Sequence, residues 1–154
     1  MVARRTRQIL LKLRHIEELE ARRGLGEAER AVVRASVAVT AVVARAEVAR
    51  AKLGAATAKP AGGMRAGALA QRENYLVGLR KEVDDLLEQR RVAEQILADA
   101  EVRAGKAQET LAAALLSLEA SAREERHAAE VEARVRDRRL ERQAQDRWRP
   151  RRDS

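Results

Sequence analysis

Apolar residues recur along this chain at alternating steps of three and four. Leu25, Ala28, Val32, Ala35, Val39, Val42, Ala46, Ala49 and Leu53 hold such a series with no polar interruption. A second series runs through Leu76, Leu79, Val83, Leu86, Arg90, Ala93, Leu97, Ala100, Ala104, Ala107, Leu111, Ala114 and Leu118, with Arg90 its one charge. Steps of three and four return to one face of an α-helix, and sustained over several heptads they mark a coiled-coil seam. A strand requires alternation by two, which the chain lacks. Ala, frequent in both series, is the strongest helix former and lets two helices approach closely.

The breakers cluster between the two series. Residues 54–67 read GAATAKPAGGMRAG, with Pro60, Gly62, Gly63 and Gly67, a composition that marks a turn or flexible loop. The pattern predicts an all-α fold, a long antiparallel two-helix coiled-coil hairpin with an overhanging C-terminal helix, forming one domain over residues 1–154. Helix one is expected over about 4–53, a loop over about 54–68, helix two over about 69–148, and a disordered polar tail over 149–154. At 1.5 Å per residue the helices are roughly 75 and 120 Å long. With the loop centred near Gly62, Ile9 is expected near Leu116, and residues beyond about Ala122 are expected to lack a partner helix. There Glu125, Glu132 and Arg139 occupy positions where the seam was apolar. Gly24 and Gly26 interrupt helix one, and Ile9, Leu13 and Ile16 suit a different phase from Leu25 onward. That combination predicts a kink or stutter.

Composition narrows the function classes. Aromatics are 1% of the 154 residues and Cys is absent. A deep small-molecule pocket, a sheet core, a disulfide scaffold and a thiol nucleophile are therefore excluded. No apolar run approaches the ~18 residues of a membrane span, and no apolar segment follows the basic opening Met1-Val-Ala-Arg-Arg. A cytoplasmic protein without direct membrane insertion is expected. His15 and His127 are the only histidines, too few for a His-rich metal site. No phosphate-cradling glycine loop precedes a Lys-Ser or Lys-Thr pair. The expectation is a protein with no catalytic residues, no metal and no cofactor, and so not an enzyme.

Charge is segregated. Lys+Arg number 32 and Asp+Glu 24, for a net +8. Residues 4–23 hold seven bases and three acids, residues 134–152 nine and three, and residues 73–125 seven and twelve. A hairpin gathers both basic stretches at one pole. Nucleic acid is the first partner such a pole suggests. Yet Asn74, the single Asn, lies outside both stretches, aromatics for stacking are missing, and acids interrupt the bases in Arg136-Asp-Arg-Arg-Leu-Glu-Arg. The reading therefore turns to proteins as partners, with a basic architectural nucleic-acid-binding coiled coil as an alternative. Single-seam hairpins are thin and pair readily into four-helix bundles, so monomer and homodimer both stay open.

Two segments carry a family resemblance. Ile9-Leu-Leu-Lys-Leu-Arg-His-Ile-Glu-Glu-Leu-Glu-Ala-Arg-Arg resembles the opening, and Arg72-Glu-Asn-Tyr-Leu-Val-Gly-Leu-Arg-Lys-Glu-Val the second-helix start, of the FliJ/YscO stalk proteins of type III secretion and flagellar export. That family is similar to the coiled-coil part of the rotary ATPase gamma subunit. The resemblance implies a central stalk that docks in the pore of a hexameric secretion ATPase and couples it to an export gate protein. Such a stalk sits in the cytoplasm, peripheral at the inner-membrane export apparatus, and some members bind secretion chaperones. The resemblance also implies a gate contact on Tyr75 and Leu79, with Leu86 further along the same face and Glu82 standing where a small residue is expected. Arg4, Arg5 and Arg7, with Arg134, Arg136, Arg138, Arg139 and Arg142, are then the expected contacts to acidic surfaces of the ATPase ring. A cytoplasmic coiled-coil adaptor or chaperone-binding protein is the alternative within the protein-binding class.

Overall fold

The computed structural model describes residues 3–149; the part of the expected tail at residues 150–154 lies outside them. Two long helices make up the chain, α1 (Arg4–Ala58) and α2 (Ala66–Trp148). Both reach closer to the loop than breaker counting predicts. Ala-rich residues 54–58 and 66–68 continue their helices, because a single Gly costs only about 1 kcal/mol against a run of strong formers. The connection shrinks to residues 59–65. Its turn is closed by the Met64 N–H donating to the Ala61 carbonyl at 3.4 Å. Gly63 supplies the φ of 83° there, which only a residue without Cβ adopts readily.

Contacts divide the chain into two compact units, Gly24–Gln108 and the pair Met1–Arg23 with Glu109–Ser154, where the sequence reading expects one domain. The boundary lies beside Gly24, Gly26 and Gly105, and an added Cβ at Gly24 or Gly105 would meet nothing within 4 Å. Side-chain packing is thin at these residues.

Gly24–Gln108 is a helical hairpin. All nine seam residues predicted in α1 are buried or half-buried, as are the ten predicted in α2 from Leu76 to Ala107. Ala46, Ala49, Val83 and Leu86 form its core cluster, flanked by Leu53 and Leu87. Small residues on α1 bring the backbones close, and large ones on α2 fill the space. The last carbonyls of α1 have no helical donor of their own, and the last turn of α1 holds no base. Arg72 of α2 supplies one: its guanidinium donates to the Lys59 carbonyl at 2.5 Å and to that of Ala56 at 3.4 Å.

In the other unit the first turns of α1 pair with α2 beyond Glu109. In this part of α1 Arg7, Leu10, Leu11, Arg14 and Ala21 are half-buried and Glu18 is buried; Arg7, Leu11, Arg14, Glu18 and Ala21 share one face. These steps of four and three lead straight on to Leu25. α1 is helical across Gly24 and Gly26, where a kink or phase change is expected. Ile9, Leu13 and Ile16, whose spacing suggested that change, are about half exposed on the outer face. The expected pairing of Ile9 with Leu116 is also displaced. Leu116 is 68% exposed, whereas Arg7 bonds to Glu125 and Glu132. α2 therefore keeps a partner well past Ala122, with Glu125, Ala128, Val131 and Ala133 half-buried. The loop midpoint misleads because α2 runs ten residues before its first seam residue, Leu76, while α1 ends two residues after Ala56.

If neither glycine serves a bend, filling them costs nothing. The nearest atom to a new Cβ at Gly26 is the Arg30 guanidinium at 3.8 Å, and at Gly24 there is none within 4 Å. Gly24→Ala and Gly26→Ala are each expected to stabilise the protein by about 0.5–1 kcal/mol. Urea denaturation of the full chain, followed by helical circular dichroism, checks this.

Candidate functional site

The charged pole expected from the sequence resolves into two populations of arginine. Arg7 belongs to the fold. Its side chain is 10% exposed; Nε donates to Glu125 at 3.1 Å and Nη2 to Glu132 at 2.7 Å. These bonds, Glu132 foremost, hold the Arg7 guanidinium above its ordinary pKa. A raised basic pKa contributes stability wherever an unfolded arginine is charged and loses it only as pH climbs through the raised value. Arg7 is thus a clamp at every working pH. The two carboxylates also face the N-terminal end of α1, where the helix dipole favours negative charge.

Arg4 and Arg5 are exposed in the same first turn and make no salt bridge among the described residues. Bases at a helix N-terminus oppose the dipole, at a cost of a few tenths of a kcal/mol each.

The second population lies on α2. Every residue from 134 to 148 is exposed. This stretch is about 22 Å of helix. Arg134, Arg136, Arg138, Arg139 and Arg142 stand on it without a salt bridge among the described residues. Arg134, Arg138 and Arg142 follow one another at i,i+4, where like charges repel. The bond between Arg7 and Glu132 sets the first turn of α1 alongside the start of this stretch. The fold therefore brings Arg4 and Arg5 to the same region as the α2 arginines.

Of the three residues implied by resemblance as a gate contact, only Tyr75 is accessible, at 58% exposed. Leu79 and Leu86 are seam residues, 6% and 9% exposed, and a partner reaches them only by parting the helices. The spacing of four that suggested a shared face with Tyr75 also places Leu79 in the series with Leu76 and Val83. Tyr75's accessible neighbours on that flank are Gly78 and Glu82.

Sequence reading missed Arg14 and Glu18 as seam residues, and expected Glu125 and Glu132, which it set on seam positions, to lack a partner helix. Extending the three-four steps backward from Leu25 and forward from Leu118 finds Arg14, Glu18 and Glu125. Glu18 pairs with Arg22, and Arg14 with Glu17 at 2.9 Å. Both histidines are exposed. No cluster of three or more metal-ligating side chains exists among the described residues, and no described helix is long and apolar enough to cross a membrane. Comparison with family models, with curated proteins and with solved structures gave no match.

If Arg7 is the clamp, Arg7→Glu places three carboxylates together. The first turns of α1 are expected to exchange their amide hydrogens at least tenfold faster, while Ala46 and Ala49 are unaffected. The swap R7E/E125R/E132R is expected to restore most of the protection. Hydrogen exchange read by mass spectrometry checks both outcomes.

Proposed function

We propose that this protein is the stalk of a type III secretion or flagellar export apparatus, docking in a hexameric secretion ATPase and coupling it to the export gate. The observation that carries the reading is the exposed arginine stretch of α2, with Arg134, Arg136, Arg138, Arg139 and Arg142 free of salt bridges among the described residues, beside Arg4 and Arg5. A stalk requires a stiff element ending in a surface that a ring can grip. Long paired helices supply the first, and these guanidiniums supply the second. Charge contacts fit a rotating or sliding partner, because they need no interlocking shape at one register. Arg7 stands apart in this assignment. It holds α1 to α2 and is removed from the surface offered to the ring.

The gate contact, on this reading, rests on Tyr75 with Gly78 and Glu82 rather than on Leu79 and Leu86. The protein acts in the cytoplasm, peripheral to the inner membrane, with secretion chaperones as further partners.

Reversing the charges of R134E/R138E/R142E is expected to leave helical content unchanged, since all three side chains are exposed. The variant is expected to lose co-purification with the secretion ATPase and stimulation of ATP hydrolysis. Wild-type stimulation by this variant overturns the arginine contact.

A further inference from the structure

One flank of the hairpin Gly24–Gln108 forms an open groove beside the seam. Three stretches line it: one between Ala31 and Ile96, one between Val48 and Gly78, one between Ala55 and Tyr75. On α1 the groove-facing residues step by three and four through Ala31, Arg34, Ala38, Ala41, Arg45, Val48, Lys52 and Ala55. On α2 they step through Tyr75, Gly78, Glu82, Asp85, Gln89, Val92, Ile96 and Asp99. Each helix thus carries a second stripe with the same period as its seam. The large apolar residues on these stripes are left in water: Val48 and Ile96 are 56% exposed and Val92 44%.

The two walls differ in charge. Arg34, Arg45 and Lys52 stand on α1 with no acid among them; Glu82, Asp85 and Asp99 stand on α2, where Arg72, Lys81 and Arg103 are the bases. None of the first six makes a salt bridge among the described residues. The pairs also sit at matching heights. Arg45 lines the same stretch of groove as Asp85, Lys52 the same as Glu82, and Arg34 the same as Asp99.

We propose that this groove is a homodimer interface, with a second copy laid face to face, the loops at the same end, and α1 of each copy on α2 of the other. Charge decides the occupant and its orientation. A two-fold axis along the hairpin sets α1 over the partner's α2, so each base meets an acid at its own height. A two-fold axis across the hairpin sets α1 over the partner's α1, bases against bases, and is rejected. The area suffices. Twenty-five residues of two helices, each about 10 Å wide, offer roughly 700 Å² per copy. The two copies together then approach the ~1,600 Å² of a standard interface. Val48, Val92 and Ile96 leave water at its centre. The result is a four-helix bundle; it covers Tyr75, Gly78 and Glu82, so the dimer and the gate contact of the stalk reading use the same face in turn.

Sedimentation velocity of the full chain is expected to show a dimer of twice 17.1 kDa at micromolar concentration, weakening with salt. Arg45→Glu and Asp85→Arg each put like charges at two symmetric contacts, and each is expected to raise the dimer Kd about tenfold or more. An equimolar mixture of the two variants is expected to dimerise as the wild type does, because every contact in the mixed dimer is again opposite in sign. Circular dichroism of each variant confirms that the helices persist. The chain has no Cys, so a spin label at Lys59→Cys reports orientation, and a distance below about 30 Å between copies is expected with the loops together. A monomer at 100 μM, label separations of about 50 Å or more, or a mixture no better than its components each overturns the proposal. A monomer would leave the groove to a partner other than a second copy.

Discussion

The hairpin Gly24–Gln108 is phased by the contact of Ala46 and Ala49 with Val83 and Leu86. Two alanines let α1 approach α2 closely, and Val83 and Leu86 fill the gap their missing bulk leaves. Shifting the register by one residue turns the whole series off the seam, since three-four spacing tolerates no single-residue slip. The register therefore resides in the side chains and not in the loop. The loop merely spans the distance, and its asymmetry, with ten residues of α2 before Leu76, costs little. Arg72 then closes the end of α1 from across the pair.

The seam changes chemistry along its length, and stability follows it. In Gly24–Gln108, Val42, Leu76, Leu79, Val83 and Leu86 are buried, each worth about 1.5–3 kcal/mol when fully removed from water. In the other unit the same positions of the helical repeat hold Arg7, Arg14, Glu18 and Glu125. Pairs of charges largely repay their own desolvation and add little more. The Arg14 Nε is buried without a hydrogen-bond partner among the described residues, which adds a cost. This unit joins these polar contacts to the half-buried Leu10, Leu11, Leu111, Leu118 and Val131, and leaves Ile9, Leu13 and Ile16 in water. Such a segment opens at lower free energy than an apolar core. An element that must engage a partner is drawn from that end of the scale.

The seam was legible because Ala, Leu and Val occupy it wherever packing needs them. Every residue of the two predicted series, Leu25 to Leu53 and Leu76 to Leu118, Arg90 included, is buried or half-buried. The pattern failed where charge took the same positions. Ile9, Leu13 and Ile16 are the apolar residues of their segment, and hydrophobicity assigned them to the interface. The helix instead buried Arg7 and Glu18. Bonded carboxylates made Arg7 a better seam residue than hydropathy allows. Only continuity of spacing reveals this, and Gly24 and Gly26 obscured it. The gate residues implied by resemblance show the converse. Tyr75 and Leu79 share a spacing, yet Leu79 belongs to the seam and Tyr75 to the flank beside it. The exposed arginines from 134 to 142 were legible as a composition, but the separate role of Arg7 required geometry.

Charge along the chain was also read at too coarse a scale. Summed over residues 73–125, α2 is acidic, which says nothing of direction. Resolved by face, the acids Glu82, Asp85 and Asp99 lie along one flank, while Arg34, Arg45 and Lys52 lie along the same flank of α1. A two-helix seam occupies only about a third of each helix's circumference, so the rest is available for a second message. Charge writes that message cheaply. It fixes orientation and rejects wrong pairings more than it adds affinity, and it requires no bulky residue that would aggregate in the unpaired chain. The apolar residues it frames, Val48, Val92 and Ile96, are few and widely spaced. They add affinity only to a partner whose charges already match. Hydrophobic spacing selects the fold of this chain, and the faces left over, sorted by charge, select what it meets.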